Sequence, residues 1–406
     1  MKNMINRNFT LLWIGKIISQ LGDKFYAIAL AWWILQKTNS PSIMGLFLFI
    51  SVFPGVILGF FAGAFVDRWK RKNILILTDI IRGCLVLTIS FLAINNSLET
   101  WHVFVIAFFL SVAASFFDPA VQAILPEIVE KDKLPKANAM SQMVGGICTV
   151  AGPLLGAVLV GLFGIAWVFL ANGISYLISA LLACFIVMKK DYRNFDEKRY
   201  LWKDIMEGIH FLKNQKRILL VLKIIAIAHF FLGSLMVSLP FLAKSLQGNG
   251  ITNLGVLEMM LGVGMIGASL FLSFVKKSYI NEQKLIIAIL MLGICFLIIS
   301  IAEFSGFNML YGFIAEMCVI GACIACASVF WQWLLQSYTP ANMTGRVFSI
   351  SSLLGNVSLP IAYCIFGILL GFTSILKVMA GCGLCLIILC SYLFYRERMD
   401  CLRLGH

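Results

Sequence analysis

The chain has 406 residues, 61% of them hydrophobic and 13% charged, with a net charge of +13 and a mean hydropathy of +0.94. Soluble domains run at about 45–50% apolar and about 25% charged, so an ordinary cytosolic enzyme, a disordered chain and a fibrous protein are all excluded. One bilayer crossing takes about 20 apolar residues; twelve would use roughly 240 and leave room for loops.

Twelve apolar segments follow in chain order, at about 9–35, 43–66, 73–94, 101–124, 139–162, 165–188, 218–242, 254–275, 285–303, 307–335, 346–371 and 373–395. Lipid leaves no backbone polar group unsatisfied, so only helices or closed barrels can span it. These runs lack the period-2 alternation of a membrane barrel. The expected fold class is therefore an all-α polytopic membrane protein with twelve transmembrane helices in two six-helix halves. The first run starts at Phe9 and is itself long enough to span, so no cleavable signal peptide is expected.

The basic residues set the orientation. With the N-terminus inside, internal segments hold 25 of the 32 lysines and arginines, external loops hold Lys37, Lys244 and Lys377, and spans hold the other four. Such a bias is the positive-inside signature of short cytoplasmic loops, and it places both termini in the cytoplasm; the expected location is a bacterial inner or plasma membrane. The positive charge serves topology and anionic headgroups, and nucleic acid is not an expected partner.

A polar stretch separates segments 6 and 7. This divides the chain into an N-terminal half over 1–188, a cytoplasmic linker over 189–217 and a C-terminal half over 218–406. Within the linker Leu201, Ile205, Ile209 and Leu212 fall at helical spacing, as for an amphipathic helix along the inner membrane surface. The halves repeat faintly. Leu134-Pro135-Lys136-Ala137-Asn138 answers Thr339-Pro340-Ala341-Asn342, and Pro153 of helix 5 answers Pro360 of helix 11. Two six-helix halves are a recurrent transporter plan.

The twelve cysteines lie almost entirely inside apolar runs, where a free thiol acts as a small apolar residue. The CxxC pairs Cys323/Cys326 and Cys382/Cys385 lack His or Asp partners, so no metal site is expected. No phosphate-cradling GxxxxGK[ST] loop and no catalytic nucleophile set is present. Neither enzymatic catalysis nor a cofactor is expected.

The most specific local pattern is Gly63-Ala64-Phe65-Val66-Asp67-Arg68-Trp69-Lys70-Arg71-Lys72, between helices 2 and 3. It resembles the G-x-x-x-D-R-x-G-R-K signature of the major facilitator superfamily, with Lys70 in place of the second glycine. Gly63 permits close helix contact, Asp67 can accept hydrogen bonds at a helix N-terminus, and Arg68 and Arg71 can pair with an acid. The resemblance implies that Asp118, in Phe116-Phe117-Asp118-Pro119-Ala120 of helix 4, is the acid that Arg71 pairs with, latching the inner gate. The rival role for Asp118 is proton carriage.

Gly152-Pro153-Leu154-Leu155-Gly156 resembles that superfamily's antiporter motif, with Ala157 replacing its last glycine; close packing alone is the other reading. Glu207-Gly208-Ile209-His210-Phe211-Leu212 and Gly345-Arg346-Val347-Phe348-Ser349 extend the likeness to the macrolide-efflux-type branch. That branch exports macrolides, tetracyclines and siderophores.

Ionisable groups inside a membrane are functional candidates by default. Asp23, near the middle of helix 1, is the first candidate for proton coupling or cation binding; a structural pair with Lys24, Lys16 or another helix is the alternative. Glu316 in helix 10 and His229 in helix 7 follow. Helices 1, 4, 7 and 10 line the central cavity in the superfamily, and Asp23, Asp118, His229 and Glu316 fall one on each. Phe25 and Tyr26 are candidate cavity aromatics, whereas Trp32, Trp33, Trp331 and Trp333 suit the interfacial belt. Asp79 and Arg82, at i and i+3 on helix 3, read as a structural pair.

The expected function is proton-coupled antiport exporting a macrolide- or tetracycline-type drug by alternating access, by a monomer whose partners are drug, protons and the bilayer. The alternative is export of a siderophore or lysophospholipid.

Overall fold

The computed structural model describes residues 5–188, 206, 210–212, 215–275, 281–301, 309–340 and 343–404. Among them there is no β-strand, and the chain runs through long helices joined by short turns. In the first half these are α1 (Arg7–Thr38), α2 (Pro41–Arg68), α3 (Arg71–Ile94), α4 (Thr100–Ile128), α5 (Leu134–Phe163) and α6 (Ile165–Cys184), with a 3₁₀ turn at Lys131–Lys133. In the second they are α7 (Lys216–Ser245), α8 (Gly250–Ser273), α9 (Glu282–Ile301), α10 (Met309–Tyr338), α11 (Thr344–Phe372) and α12 (Ile375–Leu404).

The turns are built from capping chemistry. Asn6 accepts a hydrogen bond from the Phe9 amide at 2.8 Å and starts α1; Asn39, with φ 47°, ends it in the left-handed conformation that short amide side chains tolerate. Glu99 and His102 form a reciprocal capping box at the start of α4. Gly164, with φ 87°, lets α5 turn directly into α6. The far end of α6 is capped from α3, where Lys72 Nζ donates to the carbonyls of Cys184 at 2.7 Å and Ile186 at 2.8 Å.

The chain resolves into two compact units, one formed by Met1–Asn39 and Phe47–Lys198, the other by Ser40–Leu46 and Arg199–His406. Each packs its helices in the same order. In the first unit α1 lies on α5 and α6, and α3 on α4 and α6; in the second α7 lies on α11 and α12, and α9 on α10 and α12. The faint sequence repeat is therefore a repeat of structure.

Eleven of the described helices are long and apolar enough to cross a membrane. Their outer faces carry bare hydrophobic side chains, such as Phe271, 69% exposed, and Phe372, 87% exposed, as lipid requires. The exception is α1. It has ample length, 32 residues, but holds Lys16, Gln20, Asp23 and Lys24 in its middle. Those groups could not face hydrocarbon, and the first unit covers them with α5 and α6, as described below.

Most of the linker and its amphipathic pattern lies outside the described residues. Leu212 is buried with Ile218, Leu222, Leu335 and Val347, so that side chain serves the core of the second unit. Two expected belt tryptophans also turn inward. Trp32 is only 9% exposed, and Trp331 donates its indole N–H to Ser351 Oγ at 3.1 Å. A buried indole needs such a partner.

Candidate functional site

The site is assembled around α1. On one side, Gly15 and Gly22 lie flat against α6. A methyl group added at Gly22 would collide with Asn172 and Ser175, and one at Gly15 would press on Ser179. On the other side, Gly152 and Gly156 of α5 receive Lys24 and Phe25; a Cβ at Gly156 would come within 2.9 Å of the Phe25 Cα. Small residues four apart let helices approach closely where lipid offers no hydrophobic drive. The motif residues Gly152, Pro153 and Gly156, all buried, thus act here as the bed for the middle of α1. Gly156→Val is expected to destabilise the protein by about 1–3 kcal/mol through overpacking. Gly161→Val, in the same helix with open space beside it, is expected to have no effect; thermal unfolding of the detergent-solubilised protein compares the two.

Held this way, α1 presents Asp23 to α6 and α3. Asp23 is half-buried, and the Tyr176 hydroxyl donates a hydrogen bond to its Oδ1. Neither lysine expected as an alternative partner takes that place. Lys16 Nζ donates to Ser141 Oγ of α5 at 2.8 Å, and the Lys24 stem lies on Gly152. Successive helix residues point about 100° apart, so Lys24 leaves toward α5 while Asp23 turns to α6.

Behind Tyr176 lies the α3 pair. Arg82 Nη2 donates to Asp79 Oδ1 at 2.8 Å, with side chains 6% and 1% exposed. The pair read from the i, i+3 spacing therefore forms. The Arg82 guanidinium also sits 4.1 Å from the centre of the Phe117 ring on α4 and 4.7 Å from that of Tyr176. Stacking on both rings offsets part of the cost of burying the cation. The other Asp79 oxygen, Oδ2, and Arg82 Nε are buried without a hydrogen bond among the described residues. A small cavity beside them is lined by Lys16, Asp79, Phe117 and Ser179.

The expected cavity aromatics pack inside the unit. Phe25 rests on Gly156, and the Tyr26 ring stands 5.3 Å from Phe169 of α6. Nothing in the sequence pattern marked Tyr176; its ring and hydroxyl join α1 to α3 only once α6 is folded between them.

In the second unit Glu316 of α10 is 8% exposed, and its Oε1 makes no hydrogen bond among the described residues. His229 of α7 has Nδ1 3.1 Å from the Ile225 carbonyl, and its ring faces Gly355 of α11. That echoes the first unit, where Lys24 of α1 lies on Gly152 of α5. No hydrogen bond or ion pair joins Glu316 to His229 among the described residues.

The latch needs a correction. Arg71 opens α3, and its Nη1 bonds to the carboxylate of Glu127 and to the Ala123 carbonyl at 2.7 Å. Asp118, the partner expected from the resemblance, is exposed on the same helix. It lies nine residues from Glu127, about 13 Å along the axis. The cause is the length of α4, which continues through Pro126 to Ile128 and carries its terminal acid to Arg71. Gly63, Asp67 and Arg68 fall in the last turns of α2, with side chains outside the described residues. The second unit has a related contact, in which Tyr338 at the end of α10 donates to Glu282 at the start of α9 while Arg217 of α7 lies 5.9 Å from the Tyr338 ring centre.

The sequence pattern described as Major Facilitator Superfamily matches residues 12–363. The chain belongs to that superfamily. It is a multi-pass membrane transporter, and its fold and relatives are those of transporters rather than enzymes. The structure resembles that of the nucleoside transporter NupG with a TM-score of 0.76 at 11% identity, over 96% of this chain and 100% of the other. At that identity the likeness concerns fold alone. Macrolide efflux protein A of Streptococcus pyogenes is 21% identical over 401 residues, 97% of each chain. The Staphyloferrin A transporter of Staphylococcus aureus is 25% identical over 395 residues, 92% of this chain and 91% of the other.

Proposed function

We propose that this transporter is a proton-coupled exporter of amphiphilic small molecules, working by alternating access in a bacterial plasma or inner membrane with both termini cytoplasmic. The observation that supports coupling is Asp23. It is a half-buried carboxylate at mid-helix, held by one hydroxyl at one oxygen, beside a buried arginine–aspartate pair. A carboxylate in such a place can take up a proton from one side and give it to the other as its surroundings change. Glu316 is a second carboxylate of this kind. The protein supplies the whole mechanism, with the proton gradient in place of any cofactor, and functions as a monomer.

The substrate is an antibiotic of macrolide type. The full-length likeness to macrolide efflux protein A supports that choice. The similarity to a staphyloferrin transporter supports a second reading, export of a siderophore. Drug accumulation in susceptible bacteria expressing the protein decides between them. Protonophore-sensitive exclusion of erythromycin but not tetracycline is expected. No exclusion of either drug, with the protein confirmed in the membrane and a siderophore appearing in the medium, would replace the antibiotic reading with the second.

A further inference from the structure

The first unit contains a buried ion pair that the proposed coupling step leaves unused. A buried salt bridge is weak evidence of stability, because desolvation can outweigh the attraction. Its retention inside a helix bundle calls for another reason. The geometry offers one. Arg82 touches three things at once: Asp79 through a 2.8 Å hydrogen bond, the Phe117 ring at 4.1 Å and the Tyr176 ring at 4.7 Å. Tyr176 is also the residue whose hydroxyl holds Asp23. One aromatic side chain therefore has the proton carrier at its tip and a fixed cation on its face.

We propose that Arg82 is a positioning residue for the proton carrier: anchored on Asp79 and stacked between Phe117 and Tyr176, it fixes the Tyr176 hydroxyl on Asp23 and sets the field in which Asp23 works. This rests on the reading of Asp23 as the coupling residue. The charged and titratable groups around Asp23 are Lys16 and Lys24 on its own helix, Tyr26 one turn on, Asp79 and Arg82 on α3, Asp118 on α4, Cys148 on α5 and Tyr176 on α6. Of the cations, Lys16 is engaged with Ser141 and the Lys24 stem turns to α5. Among the described residues, Arg82 is the one cation stacked on the residue that touches Asp23. The hydroxyl and the cation both act on the Asp23 carboxylate, so the pH profile of transport should change when the cation is removed.

The decisive variant is the double substitution Asp79→Asn with Arg82→Gln. It removes both buried charges together, so no unpaired charge is left behind. Drug-driven proton exchange is measured in proteoliposomes across a pH series. The expected result is transport that survives with a displaced pH midpoint. A wild-type pH profile in the double variant would overturn the proposal and leave the pair a packing element. If the double variant fails to reach the membrane, Arg82→Lys decides. Lysine keeps a charge for Asp79 but is a point charge without the planar stack. A displaced pH midpoint supports the proposal, and an unchanged profile sinks it. Asp23→Asn in the same assay separates the two levels of argument. Coupling that survives Asp23→Asn removes the underlying reading, whereas coupling lost there with a wild-type profile in the Arg82 variants removes this inference alone.

Discussion

Asp23→Asn is expected to abolish proton-driven drug exclusion while leaving the protein in the membrane at its normal level. The amide has the shape of the protonated carboxyl, and its oxygen can still accept the Tyr176 hydroxyl. The helix contacts on either side of Asp23 depend on Gly22, Gly152 and Gly156 and are untouched. What is lost is the capacity to exchange a proton. Each charge moved through a potential of about 100 mV is worth about 2.3 kcal/mol, which at 1.4 kcal/mol per tenfold sustains a drug ratio of about 40-fold. Cells carrying the variant should lose that ratio and accumulate drug like cells without the transporter, with no further rise on adding a protonophore. Full exclusion that still collapses with protonophore would move the coupling away from Asp23, and Glu316, buried and without a hydrogen bond at Oε1 among the described residues, would be its place.

The helices were legible because lipid leaves the chain little choice. Apolar runs of sufficient length must be helical, and glycine, asparagine and proline mark their ends. The site was legible only in part. Asp23, Glu316 and His229 stand out since ionisable groups are scarce in such runs, and the Asp79–Arg82 pair follows from i, i+3 spacing. Tyr176 was invisible, because one tyrosine in an apolar helix looks like any other until α6 is laid against α1 and α3. Glu127 was missed for a different reason. Proline is expected to end a helix or kink it, so Pro126 reads as the end of helix 4. In the structure α4 carries both Pro119 and Pro126 and runs on to Ile128. The resemblance then drew attention to Asp118, which has the right chemistry on the wrong level of the helix.

That displacement gives the second large effect. Glu127→Gln removes the carboxylate that meets Arg71, a contact in which the two side chains are 19% and 25% exposed for Arg71 and Glu127. A hydrogen bond to a charged group is worth about 1.5–3 kcal/mol, and partial exposure places this one toward the lower end. For a unit of this size each kcal/mol shifts the unfolding temperature by about 2–4 °C. Glu127→Gln should therefore lower the unfolding temperature by several degrees and slow transport, since the facing ends of α3 and α4 lose their tie. Arg71→Lys should reproduce much of the loss, because Arg71 Nη1 serves the Glu127 carboxylate and the Ala123 carbonyl together and the lysine nitrogen sits one bond short of that position. Asp118→Asn is the discriminating control. If Asp118 were the latch acid, its amide would cost as much as that of Glu127. From its exposed position about 13 Å along the helix from Glu127, it should leave the unfolding temperature unchanged. Parallel thermal unfolding of the two single variants therefore reads which acid holds α3 to α4, and a loss in Asp118→Asn with none in Glu127→Gln would return the latch to Asp118.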